Sequence, residues 1–91
     1  MRYFTTAAFD QSVRGLSEAR KKQVKKAIYL ATAFFETGDL SRGLGFKPLR
    51  HGIWEIRAGL SDRVLFRKNK DVIEFILAGS HDEIRRFLKN Q

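Results

Sequence analysis

Val72-Ile73-Glu74-Phe75-Ile76-Leu77-Ala78-Gly79-Ser80-His81-Asp82-Glu83-Ile84 is the stretch whose reading decides the fold. Residues 72–78 are apolar except for Glu74, the pattern of a strand buried on both faces. Ser80 and Glu83 match a capping box, S-x-x-E, in which two side chains satisfy the free amides of a helix start. Beyond them Ile84, Phe87 and Leu88 recur at helical spacing, with Arg85, Arg86 and Lys89 between. The strand therefore feeds directly into a helix, and His81 falls in that helix's first turn, at the mouth of the sheet. A helix start carries partial positive charge, which favours anions and disfavours an imidazolium. A histidine there is either a candidate proton acceptor or simply a polar helix-start residue.

Working back from this stretch, residues 63–67 alternate, with Val64 and Phe66 on one side and Arg63, Leu65 and Arg67 on the other. Asn69 marks a turn after them, and Gly59-Leu60-Ser61-Asp62 a turn before them. Residues 53–58 alternate as well, Trp54, Ile56 and Ala58 against Ile53, Glu55 and Arg57. If Trp54 and Ile56 share the covered side with Val64 and Phe66, Arg57 must share the opposite side with Arg63. Like charges placed opposite each other destabilise a hairpin. Such a pair suits an anion held between the two guanidiniums, unless Glu55 or Asp62 neutralises them.

The first half reads as helical. Residues 1–5 suit a short strand. Thr6 can cap a helix over residues 7–14, with Phe9 and Val13 on one face and Gly15 closing it. Ser17 caps a longer helix over residues 18–36, buried along Val24, Ala27, Ile28, Ala31, Phe34 and Phe35, with Gly38 as its stop. Two helices so closely joined form a hairpin on one sheet face. Residues 37–45 form a loop whose glycines lack a phosphate-loop pattern, and Pro48 cannot donate to a central ladder. The order is strand, two helices, three strands, helix. That is an α+β fold, a small mostly antiparallel sheet against a helical hairpin, with a single domain over residues 1–91.

Ninety-one residues that are 43% hydrophobic suffice for one core. The absence of cysteine excludes a disulfide framework and fits a reducing compartment. No apolar run reaches membrane-spanning length, and Met1-Arg2-Tyr3-Phe4 does not begin a signal peptide, so a cytoplasmic location without a membrane partner is expected. The net charge of +8 suits a polyanion: nucleic acid, the ribosome or an acidic protein. Two segments concentrate it. One holds Arg14, Arg20, Lys21, Lys22, Lys25 and Lys26; the other holds Lys47, Arg50, Arg57, Arg63, Arg67, Lys68 and Lys70.

Three motifs, in this order, carry a resemblance. Pro48-Leu49-Arg50-His51-Gly52-Ile53-Trp54-Glu55-Ile56-Arg57, Arg63-Val64-Leu65-Phe66 and Gly79-Ser80-His81-Asp82-Glu83-Ile84 are similar to segments of the RelE/ParE superfamily of type II toxins, in its HigB-like and YafQ-like branches. The resemblance covers nearly the whole chain and implies a RelE-like fold. It also implies an endoribonuclease that enters the ribosomal A site and cuts messenger RNA without metal or cofactor, and a partner antitoxin, of acidic character because a basic groove attracts an acidic segment. In that chemistry the ribose 2′-hydroxyl attacks the adjacent phosphate and the 5′-oxygen leaves, which needs a base, an acid and positive charge on the phosphorane.

On that footing His81 is the leading acid or base. Arg63 and Arg57 hold the scissile phosphate, since a planar guanidinium suits it better than an ammonium. Glu55 is a base or orients an arginine. Lys47, Arg50, Arg67 and Lys68 extend the phosphate track, and His51, just before a strand, is a further contact or a surface residue. The chain departs from some relatives in lacking a tyrosine beyond Tyr29 and in having Leu77-Ala78 where others carry an arginine. Two other readings stand beside the nuclease: a ParE-like gyrase inhibitor acting by binding alone, and a catalytically weak relative that only binds its antitoxin.

Overall fold

Each helix begins where the sequence offers an oxygen to cap it. The structure, a computed structural model, describes residues 1–39 and 44–90, so the middle of the loop expected over residues 37–45 lies outside the described residues. The elements run β1 (Arg2–Thr5), α1 (Ala7–Arg14), α2 (Glu18–Thr37), β2 (Lys47–Pro48), β3 (Ile53–Ala58), β4 (Asp62–Asn69), β5 (Val72–Ser80) and α3 (His81–Lys89). Thr6 Oγ1 accepts from Phe9 N at 3.0 Å to start α1, and Ser17 Oγ accepts from Arg20 N at 3.3 Å to start α2. The capping box of α3 is complete: Ser80 Oγ accepts from Glu83 N at 3.2 Å, and Ser80 N donates to Glu83 Oε1 at 2.9 Å. Gly38 ends α2 in the left-handed conformation, donating to Phe34 O at 2.7 Å.

The sheet order is β1-β5-β4-β3-β2, with β1 parallel to β5 and the other pairs antiparallel. Three details differ from the sequence-based expectation. A fifth strand, β2, is present, and Pro48 is tolerated in it because β2 is the edge. The β4 strand is longer than residues 63–67 and includes Asp62, which is a strand residue and 2% exposed rather than part of a turn. Finally, the β4–β5 ladder carries a bulge. Leu65 pairs with Leu77 and Phe66 with Phe75, so Ile76 is the extra residue. A continuous apolar run has no alternation in which such an insertion could be read.

Both faces are covered, by different helices. Under α1 and α2 lie Ile56, Val64, Phe66, Ile73, Phe75 and Ala78, packed against Phe9, Val24, Ala27 and Ala31. On the other face Ile53, Leu65 and Ile76 pack beneath Ile84, with Phe87 and Leu88 against them. The bulge turns Ile76 and its neighbour Leu77 to this same face, which widens the apolar seat for α3. The polar residues Glu55, Arg57 and Arg63 share this face with the seat but lie to one side of it.

Candidate active-site cleft

The β3–β4 register pairs Trp54 with Phe66, Ile56 with Val64 and Arg57 with Arg63. The first two pairs belong to the core under α1 and α2, so strand alternation sends Arg57 and Arg63 to the opposite face together. Lys47 of β2 pairs with Glu55 of β3 and joins that face from the edge. The β5 strand brings Gly79 opposite Arg63 and then turns, through Ser80, into α3, whose first residue is His81.

These placements close into one cleft of about 360 Å³, lined by Gly45, Phe46, Lys47, Glu55, Arg57, Arg63 and His81. Five elements or loops supply its walls. It contains three cations, one carboxylate and one imidazole. Glu55 is 9% exposed, Arg63 is half-buried, and Arg57 and His81 reach solvent. Neither arginine has a carboxylate within ion-pair distance among the described residues. Neutralisation of the two arginines by Glu55 or Asp62 is thus not found among the described residues, and Asp62 is engaged elsewhere. Arg20 grips it with two bonds, Nε to Oδ2 at 2.9 Å and Nη2 to Oδ1 at 2.7 Å. Hydrogen bonding to Asp62 raises the pKa of Arg20 further. Among the described residues Arg63 reaches only the main-chain oxygen of Asp62, at 3.0 Å from Nη1. The cleft therefore presents cationic donors free to meet an anion, in a concave site that concentrates their field.

The remaining residues of the expected phosphate track lie elsewhere. Arg50 lines a separate surface pocket with Asp82, Arg85, Arg86 and Lys89, and its Nη2 donates to Leu88 O at 3.4 Å. Arg67 pairs with Glu74 across β4 and β5 at 3.4 Å. Lys68 falls on the opposite face by alternation. There it borders an apolar pocket of Phe34, Phe35, Phe46, Trp54 and Phe66, and its Nζ donates to Lys70 O. His51 is exposed in the turn before β3, with φ 57°.

Two cleft residues escaped the sequence reading. Gly45 and Phe46 belong to the approach to β2, where no periodicity exists to assign a face. The only signal was the glycine itself. Gly45 has φ 63°, and a Cβ there would lie 3.0 Å from Arg57 Nε and 3.1 Å from its Cγ and Cδ. The missing side chain is what lets the Arg57 stem lie across this loop.

No protein-family model matches the chain. No curated protein is found as a relative. Solved structures do match. YafQ in the E. coli DinJ–YafQ complex superposes with a TM-score of 0.73 at 19% identity, over 92% of this chain and 98% of that one. The RelB–RelE antitoxin–toxin complex from Methanococcus jannaschii gives 0.70 at 17%, over 92% and 96%. The YoeB/ParE toxin from Agrobacterium tumefaciens gives 0.65 at 22%, over 89% and 99%. The class defined by this architecture is thus the RelE-like α+β fold. These structures, known as toxins in their own right, share it with this chain along nearly their full length.

Proposed function

We propose that this protein is the toxin of a type II toxin–antitoxin pair and that it cuts messenger RNA on the ribosome, in the cytoplasm. The observation that carries this reading is the convergence of His81, Glu55, Arg57, Arg63 and Lys47 in one cleft. Such a set supplies what transesterification of RNA requires. The 2′-hydroxyl gives its proton to a base as its oxygen bonds to phosphorus. The phosphorane, with its added negative charge, sits between Arg57 and Arg63, while Lys47 holds the neighbouring backbone. The bond to the 5′-oxygen breaks, and that oxygen takes a proton from an acid, leaving a 2′,3′-cyclic phosphate and a 5′-hydroxyl. His81 and Glu55 are the two groups in the cleft able to exchange those protons, and we assign Glu55 as base and His81 as acid. The donors stand ready at the charge that develops, so the electrostatic contribution to rate is large.

The partner in this reading is an acidic antitoxin that covers the basic cleft; the RelE and YafQ structures were solved bound to RelB and DinJ. The outlying patch of Arg50 with Arg85, Arg86 and Lys89 would carry RNA flanking the cut. Arg67, Lys68 and His51 have no part in the chemistry proposed. The test is in vitro translation with the purified protein, followed by mapping of messenger 5′ ends. Positioned cuts that vanish with His81→Ala, in a variant that still folds, support the reading. Intact messenger together with DNA-damage signalling on expression would replace it with gyrase inhibition by binding.

A further inference from the structure

Arg57 belongs to two pockets at once. Besides the cleft, it lines a smaller one of about 190 Å³ between α2 and the end of β3, whose other walls include Gln23, Lys26, Leu44 and Gly59. The connection has a structural cause. The β2 strand has only two residues, so the edge of β3 beyond Glu55 is met by loop rather than strand. There Arg57 N donates to Leu44 O at 2.7 Å, and the Arg57 stem crosses Gly45. The guanidinium stem thus runs along the border of both spaces.

The small pocket has the chemistry of an anion site. It carries two cations, Lys26 and Arg57, and the amide of Gln23, and no carboxylate lines it among the described residues. Neither cation forms an ion pair among the described residues. Its volume suits a phosphate with part of its sugar. A docked helix or strand needs a longer groove.

We propose that this pocket is a second phosphate subsite, which takes the phosphodiester next to the scissile one on the same RNA strand. Lys26 and Arg57 are its cations and Gln23 its neutral donor. This inference rests on the RNA-cleaving reading. It adds a path: the strand leaves the cleft over Gly45 toward α2, rather than along the sheet toward Arg67 and Lys68.

The test is a binding titration of the intact protein with a single-stranded RNA that spans a mapped cut site and carries a 2′-deoxy group at the scissile position. Fluorescence anisotropy is read at several salt concentrations. Lys26→Gln is expected to weaken binding several-fold and to reduce the salt slope by about 0.7, the release expected for one phosphate contact on a single strand. Lys25→Gln is the control, since Lys25 is exposed on the same helix but does not line the pocket. Equal effects from the two variants would overturn the subsite, leaving only the helix's general charge. Equal weakening of a polyglutamate peptide by Lys26→Gln would assign the pocket to an acidic protein segment and overturn it as well. If the wild type cuts messenger but the two variants behave alike, the subsite alone fails. If the wild type neither cuts nor binds RNA, the RNA reading itself fails and the subsite with it.

Discussion

Arg57 and Arg63 stand directly opposite each other on the β3–β4 ladder, on the face that bears α3, with no carboxylate paired to either among the described residues. Like charges in that relation destabilise a sheet by roughly 0.2–1 kcal/mol. Arg63→Ala is therefore expected to leave the thermal midpoint unchanged or slightly higher while lowering RNA cleavage by about 10²–10³-fold. A parallel loss of stability and activity would make Arg63 a structural residue instead.

The assignment of Glu55 and His81 to opposite proton transfers makes a kinetic prediction. Glu55→Gln and His81→Ala are each expected to lower the cleavage rate by roughly 10²-fold or more while the fold survives. Single-turnover rates together with urea midpoints measure this. Full activity in a folded Glu55→Gln variant would require a different base.

Arg20 and Asp62 join the start of α2 to the start of β4 through two hydrogen bonds, with Asp62 nearly inaccessible. Removing one partner strands the other. Arg20→Ala should lower stability by on the order of 2–4 kcal/mol, below the full range for buried pairs because Arg20 is partly exposed. Urea unfolding of the variant checks this, and an unchanged midpoint would show that the pair contributes nothing to stability.

Glu83 is held below the usual carboxylate range, chiefly by the Ser80 N–H it accepts in the capping box. A lowered folded-state pKa means that its stabilisation is fully present above the unfolded value of about 4.3 and is lost as pH falls through the folded value. Glu83→Gln keeps a neutral acceptor at the same position. The stability gap between wild type and Glu83→Gln should thus be largest near neutrality and shrink at pH 3, as read from urea midpoints. A gap that does not change with pH would remove the charge from the explanation.

Gly45→Ala tests the support of Arg57. The new Cβ would press on the Arg57 stem and would also have to adopt a positive φ, at about 1–2 kcal/mol. The expected result is a folded protein with RNA cleavage reduced at least tenfold. Wild-type activity in a variant with that stability loss would show that Arg57 can act from another position.

Much of this molecule was legible before any coordinates. Capping residues Thr6, Ser17, Ser80 and Glu83 announce the helix starts because the backbone amides they satisfy are local in sequence. The pairing of Arg57 with Arg63 on one face follows from a period of two along each strand, once the apolar partners choose the covered side. Recurring short motifs pointed to the fold that the solved structures share.

Other features have no local signal. Local patterns cannot distinguish a cation that lines the cleft from one held elsewhere by its partners. Arg50, Arg67 and Lys68 read like Lys47 on paper, yet Arg50 leans on α3, Arg67 is tied to Glu74 and alternation turns Lys68 away. Likewise the hold of Arg20 on Asp62, the bulge at Ile76 and the contact of Gly45 with Arg57 each depend on residues far apart in the chain. Periodicity reports which face a side chain takes. Which distant groups meet on that face is decided by how helices and loops pack over it, and this packing is what brings His81, Glu55 and the two arginines around one opening.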